Sequence, residues 1–375
     1  MQKSSSKKER VLVGMSGGVD SSVAALLLKE QGYDVVGAIM ALWGDSTFFE
    51  ELKSKLDSKE QKTMTHCACL SPDKSKDIEQ ARLVAKKLGI DFYVIDCSKE
   101  YEQKVINYFK EEYMQGRTPN PCVCCNKNIK FGSFLELATK QGIEFDKFAT
   151  GHYAKIEKEN DKFVLKRGKN PKKDQSYFLY GLTQEQLSKT LMPLGDYTKE
   201  EIREIASKYG FEVANKPDSQ DFYVGDYNDI LDEKPKKGNI VDIKGNILGT
   251  HLGFWNYTIG QRKGIGIAAV APLYVVELRK DTNEVVVAFK EDALNKGLIA
   301  SDVVYSNNSL FNKEISCKVK IRSSQEPKEA IIKTIEDNKV LVEFKELQSP
   351  IATGQSVVFY QDDTVLGGGI IEKTL

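Results

Sequence analysis

The chain has 375 residues, of which 41% are hydrophobic and 29% charged, and its 54 basic side chains equal its 54 acidic ones. This composition predicts a globular protein of two or three domains and excludes a nucleic-acid binder that works through bulk positive charge. No run approaches the roughly 18 to 20 apolar residues of a membrane span. The polar tail 1–9 has no apolar run of signal-peptide type behind it, so we expect a cytoplasmic protein with no membrane partner.

The first half of the chain alternates short apolar runs with amphipathic helical patterns. In chain order, the predicted strands are RVLVGM, DVVGAIMALW, DFYVIDC and KFATGHYA. The predicted helices between them are SSVAALLLKEQG, KDIEQARLVAKKLGI, YEQKVINYFKEEYMQG and FGSFLELATKQG. This alternation predicts an α/β domain with a parallel sheet and helices on both faces, in which ligands bind beyond the carboxyl ends of the strands.

The pattern changes after about Pro217. Stretches such as NIVDIKGNILGTH, APLYVVELRKDTNEVVVAF and GQSVVFYQDDTVLGGGIIEKTL are short β patterns separated by Gly, Asn and Asp turns. They predict small β domains or a barrel. We expect boundaries near residues 215 and 290, which divide the chain into 8–215, 216–290 and 291–375.

A glycine-containing turn, SGGVDSS at residues 16–22, follows the first predicted strand and precedes a helix. Glycines let several backbone N–H groups point at one anion, and the helix N-terminus adds partial positive charge. The alternative is an ordinary Ser/Gly turn that caps a helix, but the SGGxDS spacing after a buried strand favours a phosphate loop. No Walker lysine follows. The turn is similar to the loop of enzymes that split ATP between its α and β phosphates and adenylate an oxygen.

Further segments resemble bacterial tRNA-specific 2-thiouridylases, in the same order and over nearly the whole chain. They are GRTPNPCVCCNKNIKFG at residues 116–132, TGHYAKI, KKDQSYFLYGL, MPLGDYTKEEIREIA, and YTIGQRKGIGI with PLYVVE. The resemblance implies an N-terminal nucleotide α-hydrolase-like (PP-loop) catalytic domain, a small central domain and a C-terminal β-barrel. The implied product is 2-thiouridine at the wobble position of tRNA.

The resemblance also implies site residues, carried over by position. Contacts with ATP are implied for Gly14, Met15, Ser16, Gly17, Gly18, Val19, Asp20, Ser21, Met40 and Gly151. Contacts with tRNA are implied for Asn120, Pro121, Cys122, Lys173, Asp174, Gln175, Arg322 and Ser323. The implied catalytic residues are Asp20, Cys122 and Cys125. The implied cofactors are ATP and Mg²⁺, and the partners are tRNA and a sulfur donor, which is a cysteine desulfurase, a sulfur carrier or inorganic sulfide.

A basic stretch supports the tRNA side of this interpretation. Between residues 155 and 173 the sequence has eight cations, Lys155, Lys158, Lys162, Lys166, Arg167, Lys169, Lys172 and Lys173. Such a patch on a neutral protein fits contacts with backbone phosphates. The alternative is a solvated surface, the usual fate of such a run.

The chain departs from the common family pattern at the second catalytic cysteine. Common members have that cysteine in a DSQxxCF-like segment, and here Tyr223 occupies its position. A phenol cannot carry a persulfide or form a disulfide with Cys125. Common members also have Asp where this chain has Cys122, which creates a Cys-x-x-Cys pair.

Three interpretations of the cysteines follow. The first, which we favour, is a [4Fe–4S] cluster on Cys69, Cys122 and Cys125 with one iron open to sulfide, as in cluster-dependent tRNA thiolases. The second is a nucleophilic Cys125 that receives sulfur from a donor. The third is a structural Zn²⁺ site with help from Cys67 and His66, which would be closed to chemistry.

Two rival functions stay open. One is another PP-loop ATP-pyrophosphatase ligase that acts on a small molecule. The other is a non-catalytic tRNA-binding relative, for which the missing second cysteine is the argument. His152, in TGHYA, follows a strand that ends at the expected site, where it either contacts a ligand or is structural.

Overall fold

The computed structural model describes residues 8–42, 46–58, 70, 74–218, 222–223, 225–306, 313–336 and 338–375. The chain divides into two compact units, Met1–Lys104 with Cys124–Gly225, and Val105–Val123 with Asp226–Leu375. None of the helices within the described ranges is long and apolar enough to span a membrane.

The first unit is built on a five-stranded parallel sheet. Its strands are β1 (Arg10–Gly14), β2 (Asp34–Ala41), β3 (Phe92–Asp96), β4 (Lys147–Thr150) and β7 (Thr190–Leu191), in the order β3-β2-β1-β4-β7. An antiparallel hairpin of β5 (Ala154–Glu159) and β6 (Lys162–Arg167) also belongs to this unit. Its turn places Asn160 and Asp161 at positive φ, as a two-residue hairpin turn requires.

Helices cover both faces of this sheet. This unit contains the helices α1 (Val19–Glu30), α2 (Thr47–Ser58), α3 (Ser75–Leu88), α4 (Ser98–Tyr101), α7 (Phe134–Lys140), α8 (Gln184–Ser188) and α9 (Lys199–Lys208). Val11 and Val13 of β1 pack into one core with α1, α3 and α9. On β4, Phe148 instead packs against the rings of Phe131 and Phe134. The predicted parallel sheet with helices on both faces is confirmed.

The second unit contains two β structures. The first is a four-stranded sheet of β8 (Gly238–Asp242), β9 (Ile247–His251), β10 (Tyr274–Arg279) and β11 (Glu284–Ala288), in the order β10-β11-β8-β9. The second contains β12 (Asn295–Tyr305), β13 (Glu314–Lys320), β14 (Lys328–Glu336), β15 (Lys339–Gln348), β16 (Ser356–Gln361) and β17 (Thr364–Thr374). These six strands follow the order β12-β15-β14-β13-β16-β17, and β12 pairs with β17, so they close into the predicted C-terminal barrel.

The remaining α-helices of the described residues are α5 (Asn107–Met114), α6 (Pro121–Cys125) and α10 (Asn228–Leu231). A π-helical segment, Glu102–Ile106, joins α4 to α5, and a second one, Asn126–Ser133, joins α6 to α7. Helix α6 therefore begins a continuous helical stretch that crosses from the second unit into the first. In the second unit, the segment before α6 packs on the barrel, because the Thr118 N–H donates to the Thr353 carbonyl at 2.8 Å.

Candidate active site

The turn between β1 and α1 has the backbone of an anion-binding loop. Gly17 has φ +70°, and a Cβ there would lie 2.4 Å from the Asp77 carbonyl oxygen. Gly18 is the N-cap residue of α1 and supplies no side-chain cap. A helix leaves its first N–H groups without intrahelical acceptors, and here no capping side chain covers them. The N-terminus of α1 can therefore receive a phosphate.

Three serines give this loop its shape. The Ser16 N–H donates to Ser21 Oγ at 3.0 Å. The Ser22 hydroxyl donates to the Gly18 carbonyl at 2.8 Å, and the Ser21 hydroxyl reaches the same carbonyl at 3.3 Å. Ser21 and Ser22 are buried, whereas Ser16 is exposed. The two buried hydroxyls therefore hold the loop together, and the Ser16 hydroxyl lies on its accessible side.

The remaining residues expected to contact ATP lie at the same edge of the sheet. Gly14 ends β1 and pairs in register with Thr150, the last residue of β4. Gly151 follows, and a Cβ at this position would lie 2.8 Å from the Ser21 nitrogen. Met40 is half-buried near the end of β2. These residues lie at the carboxyl edge of a parallel sheet, where such folds bind ligands.

Asp20, in the first turn of α1, belongs to a charged network. Lys199 Nζ lies 2.7 and 2.8 Å from its two carboxylate oxygens, and the Tyr153 hydroxyl donates to Oδ1 at 2.7 Å. Lys199 Nζ also lies 2.6 Å from Asp218, which Lys173 contacts at 2.6 Å. Burial and the neighbouring Asp20 raise the pKa of Tyr153, so its hydroxyl stays protonated and donates.

Asp218, the second carboxylate of this network, is ionised. Burial acts to raise the pKa of Asp218, but hydrogen bonds from Lys173 and Lys199 outweigh burial and hold the pKa below its ordinary value. Lys199 and Tyr153 are not among the site residues that the sequence predicts. Both lie in segments that carry the family resemblance, MPLGDYTKEEIREIA and TGHYAKI, but no periodicity or spacing marks a buried lysine.

The cysteine-bearing helix begins with a strong local signal. Asn120 Oδ1 accepts the Val123 N–H at 3.2 Å, and Pro121 is the first residue of α6. Asn at the N-cap followed by Pro is a favoured helix start. The backbone N–H of buried Asn120 also donates to the Tyr108 hydroxyl oxygen at 3.2 Å, and its side-chain amide donates to Gln355 Oε1 at 3.4 Å. Its side chain is therefore used in the second unit to start this helix.

The cysteines of α6 have different surroundings. Cys125 is buried, with 4% of its surface exposed, and Cys122 is half-buried. The Cys124 thiol lies 3.1 Å from the Lys104 carbonyl, and Asn128 donates to its sulfur at 3.4 Å. Burial raises the pKa of Cys124, so its thiol is a poor nucleophile. The π-helical segment begins directly after Cys125, and such segments occur frequently at functional sites.

No group of three His, Cys, Asp or Glu side chains suited to a metal ion occurs among the described residues. Cys69, Cys67 and His66 lie outside those residues. Cys97 and Cys317 are buried, and burial raises the pKa of each thiol to about 12. Of the three expected cluster ligands, the structure therefore describes Cys122 and Cys125 but not Cys69.

Within the first unit, the helical stretch after Cys125 packs against β4 and the residue His152 that follows it. The Phe131 ring lies 5.3 Å from the Phe148 ring of β4 and 6.1 Å from the His152 ring. Phe131 is six residues after Cys125, on the order of 9 Å along a helix. His152 Nδ1 is 2.7 Å from the Thr150 hydroxyl, and burial, helped by the charge of Lys130, lowers its pKa to about 3. His152 is therefore a neutral, hydrogen-bonded part of this packing.

Lys173, Asp174 and Gln175, which the resemblance implies as tRNA contacts, differ in how accessible their side chains are to a phosphate. Asp174 is 1% exposed at its side chain and accepts hydrogen bonds from Arg167, Gly168 and Ser176. Gln175 Oε1 accepts the Tyr153 N–H at 2.9 Å. Lys173 is 39% exposed. Asp174 and Gln175 therefore shape the turn, and Lys173 is the member that can reach a phosphate.

The structure pairs most of the basic stretch with carboxylates. Six of its eight cations form ion pairs, namely Lys155, Lys158, Lys166, Arg167, Lys169 and Lys173. The net positive field is therefore weaker than the sequence suggests. Exposed ion pairs contribute little, so a phosphate can replace their carboxylates at small cost.

In the barrel, Arg322 joins two loops and Ser323 is exposed. The Arg322 guanidinium donates to the Pro350 carbonyl at 2.8 Å and approaches the Ile259 carbonyl at 3.5 Å. Gly260 has φ +85°, and a Cβ there would lie 2.5 Å from the guanidinium. Arg322 is half-buried and committed to these carbonyls, while the Ser323 side chain faces solvent.

A parallel α/β sheet with a glycine-bent loop at its carboxyl edge defines a nucleotide-binding domain, here joined to a β-barrel unit. The chain matches three family models, described as tRNA methyl transferase HUP domain over residues 9–225, tRNA methyl transferase PRC-barrel domain over 228–289 and aminomethyltransferase beta-barrel domain over 295–371. The protein belongs to the tRNA-specific 2-thiouridylase family, as its full-length relatives show.

Two of these relatives illustrate the likeness. The tRNA-specific 2-thiouridylase MnmA 2 of Clostridium botulinum strain Okra is 50% identical over 98% of this chain and 100% of its own length. The tRNA-specific 2-thiouridylase MnmA of Endomicrobium trichonymphae is 48% identical over 96% and 98%. Among solved structures, the U34-tRNA thiolase NcsA from Methanococcus maripaludis matches 60% of this chain and 64% of its own chain. The sequence identity is 15% and the TM-score is 0.34.

Proposed function

We propose that this protein is a tRNA 2-thiouridylase that uses ATP to activate the wobble uridine and replaces its 2-oxygen with sulfur. The observation that carries the proposal is the glycine-bent loop before α1, with Gly151 against its amides, in a chain 50% identical over its full length to 2-thiouridylases. The matched family descriptions also mention methyl transfer. A loop that binds phosphates favours ATP-dependent activation, because methyl transfer from a sulfonium requires no phosphate site.

In the first step, the uridine 2-oxygen attacks the α-phosphorus of ATP, and the bond to pyrophosphate breaks. The base leaves the anticodon stack for this, at a cost of a few kcal/mol. The loop amides and the hydroxyl of Ser16 stabilise the charge on the phosphates. Asp20, whose carboxylate is 28% exposed, would hold Mg²⁺ by giving up a contact with Lys199, and a bound Mg²⁺ would neutralise phosphate charge.

In the second step, sulfur attacks C2 of the base, and the C–O bond breaks so that AMP leaves with the oxygen. We propose that a cluster on Cys69, Cys122 and Cys125 holds this sulfur, in preference to a Cys125 persulfide. Tyr223 supports this choice, because it is 3% exposed and provides no second thiol to resolve a persulfide adduct. When bound, such a cluster would offer an iron without a protein ligand to sulfide.

For tRNA, we propose phosphate contacts by Lys173 in the first unit and by Ser323 in the second, where Arg322 would hold the loop that carries Ser323. Asn120 and Pro121 would act mainly by holding α6 in place near the target base. The sulfur donor we propose is a cysteine desulfurase, a sulfur carrier or inorganic sulfide, in the cytoplasm. We also propose domain boundaries that separate 8–215, 216–290 and 291–375.

The test is thiolation by the anaerobically purified full chain with tRNA, ATP, Mg²⁺ and sulfide. Nucleoside mass spectrometry measures 2-thiouridine, and a coupled assay measures pyrophosphate. We expect Asp20→Ala to abolish both products. We expect Cys125→Ser to abolish 2-thiouridine while pyrophosphate release persists, and the matched control Cys124→Ser to retain both. Full thiolation by Asp20→Ala would show that the phosphate-loop assignment is wrong.

The same preparation separates the rival functions and the sulfur carriers. A small-molecule ligase would cleave ATP without tRNA, and a binding-only relative would bind tRNA without cleaving ATP. Iron and acid-labile sulfide in stoichiometric amount support the cluster. A colourless, iron-free and fully active protein would exclude it.

A further inference from the structure

Lys199 has a buried positive charge at the helix end where a positive charge is least favourable. It is the first residue of α9, where the positive end of the helix dipole disfavours a cation. Its side chain is only 6% exposed, so burial adds to the cost of its charge. Thr198 and Glu201 already form a capping box at this helix end, so Lys199 is not needed to start the helix. A buried lysine at this position therefore requires an explanation from its partners.

The partners of Lys199 belong to two different segments. Its three N–H donors match three contacts, two with the Asp20 carboxylate at 2.7 and 2.8 Å and one with Asp218 at 2.6 Å. Asp20 follows the phosphate loop, and Asp218 lies almost two hundred residues later. One ammonium therefore bridges two carboxylates from distant segments, while Lys173 also contacts Asp218.

A second lysine joins the same two segments. Lys216, two residues before Asp218, donates to the Gly17 carbonyl of the phosphate loop at 3.0 Å. It also contacts Asp77 at 2.7 Å and Gln80 at 2.6 Å. The segment Lys216–Asp218 is therefore attached to the phosphate loop at Gly17 and, through Lys199, at Asp20. The same segment leads along the chain to Tyr223.

We propose that Lys199 is a positioning residue shared between the nucleotide site and Asp218, so that bound nucleotide and Asp218 compete for its ammonium. This inference rests on the proposed function. Triphosphate charge placed on the loop attracts this buried ammonium, and when the one N–H that faces Asp218 turns toward phosphate, Asp218 loses its contact with Lys199. Because coupling between two sites is reciprocal, weakening the hold of Asp218 must strengthen nucleotide binding. ATP would thus loosen the segment that begins at Lys216.

The test measures the affinity of the full chain for MgATP by calorimetry, without tRNA. We expect Asp218→Asn to bind MgATP about five- to tenfold more tightly and Lys199→Met at least about tenfold more weakly, in the range of ordinary coupling. In the Lys199→Met background, Asp218→Asn should change the affinity less than about twofold. Lys199→Arg, which keeps the charge, should recover most of the affinity.

Two control variants lie on the same helix. Glu200→Gln removes an exposed negative charge next to Lys199, and Lys208→Met removes an exposed lysine of the last turn. Each should change the affinity less than about twofold, because distant or exposed charges are screened. An equal gain from Asp218→Asn with and without Lys199, or weaker binding by Asp218→Asn alone, would overturn the proposal.

Amide hydrogen exchange supplies a readout that a merely structural role would not change. MgATP should accelerate exchange in the peptide covering residues 211–218 of the wild-type protein and leave it unchanged in Asp218→Asn. The comparison of wild type with Asp218→Asn tests the proposal even if Lys199→Met does not fold. Slower exchange of the wild-type peptide in the presence of MgATP would overturn the proposal. A wild-type protein that binds no MgATP would instead refute the proposed function.

Discussion

The buried neutral histidine beside the phosphate loop makes stability in mild acid predictable. His152 is 9% exposed, and its Nδ1 contacts the Thr150 hydroxyl at 2.7 Å. Burial and the nearby Lys130 lower its pKa to about 3, from 6.5 in an unfolded chain. A lowered pKa means that the unfolded state takes up the proton first. The contribution is therefore complete above pH 6.5 and is lost as the pH falls from there toward 3.

The size of the effect follows from the two pKa values. Between pH 7.5 and pH 5, protonation of His152 in the unfolded state favours unfolding by about 2 kcal/mol, at about 1.4 kcal/mol per pH unit. The variant His152→Asn keeps a polar atom near Thr150 but cannot titrate in this range. Wild type should therefore lose about 2 kcal/mol more than the variant over this interval.

Hydrogen exchange of the amides in β1 and β4, corrected for intrinsic rates, measures how the local unfolding free energy depends on pH. A local measurement is needed because a chain of two units need not unfold in one step. The matched control is His251→Asn, in β9 of the second unit, which should leave the pH dependence of β1 and β4 unchanged. Parallel pH profiles for wild type and His152→Asn would refute the reasoning, since they would show that His152 is protonated equally in both states.

Three other predictions concern the loop, the helix cap and the thiols. Gly17→Ala should lower the free energy of unfolding by more than about 2 kcal/mol, because alanine is strained at left-handed φ and its Cβ would clash with the Asp77 carbonyl. The control Gly18→Ala, at φ −106°, should cost less than half as much, and thermal unfolding measures both variants. Asn120→Ala should cost about 1 kcal/mol from the lost cap, and Asn120→Asp, which keeps the acceptor, should recover most of it in denaturant titrations. Iodoacetamide at pH 8 should label half-buried Cys122 well before Cys97, whose pKa is about 12, and mass spectrometry that finds Cys97 labelled first would contradict this.

Local patterns in the sequence were sufficient for the fold class and for the backbone conformation of the turn before α1. The fully buried run Val11–Val13 and the amphipathic period of α3 indicated a parallel sheet under helices, because burial of apolar side chains is what such patterns encode. The SGGxDS turn required its glycine at positive φ, a constraint that acts within a few residues. The barrel followed from short strands between turn residues.

The tertiary structure decided which polar side chains meet. Tyr153 and Lys199 reach Asp20 across 133 and 179 residues of chain, and no periodicity records such a contact. The same holds for Asp174, whose carboxylate lies inside a turn, although the family resemblance implied a contact with tRNA. Apolar patterns specify which face of an element is buried, but the partner of a buried charge depends on elements that only folding brings together.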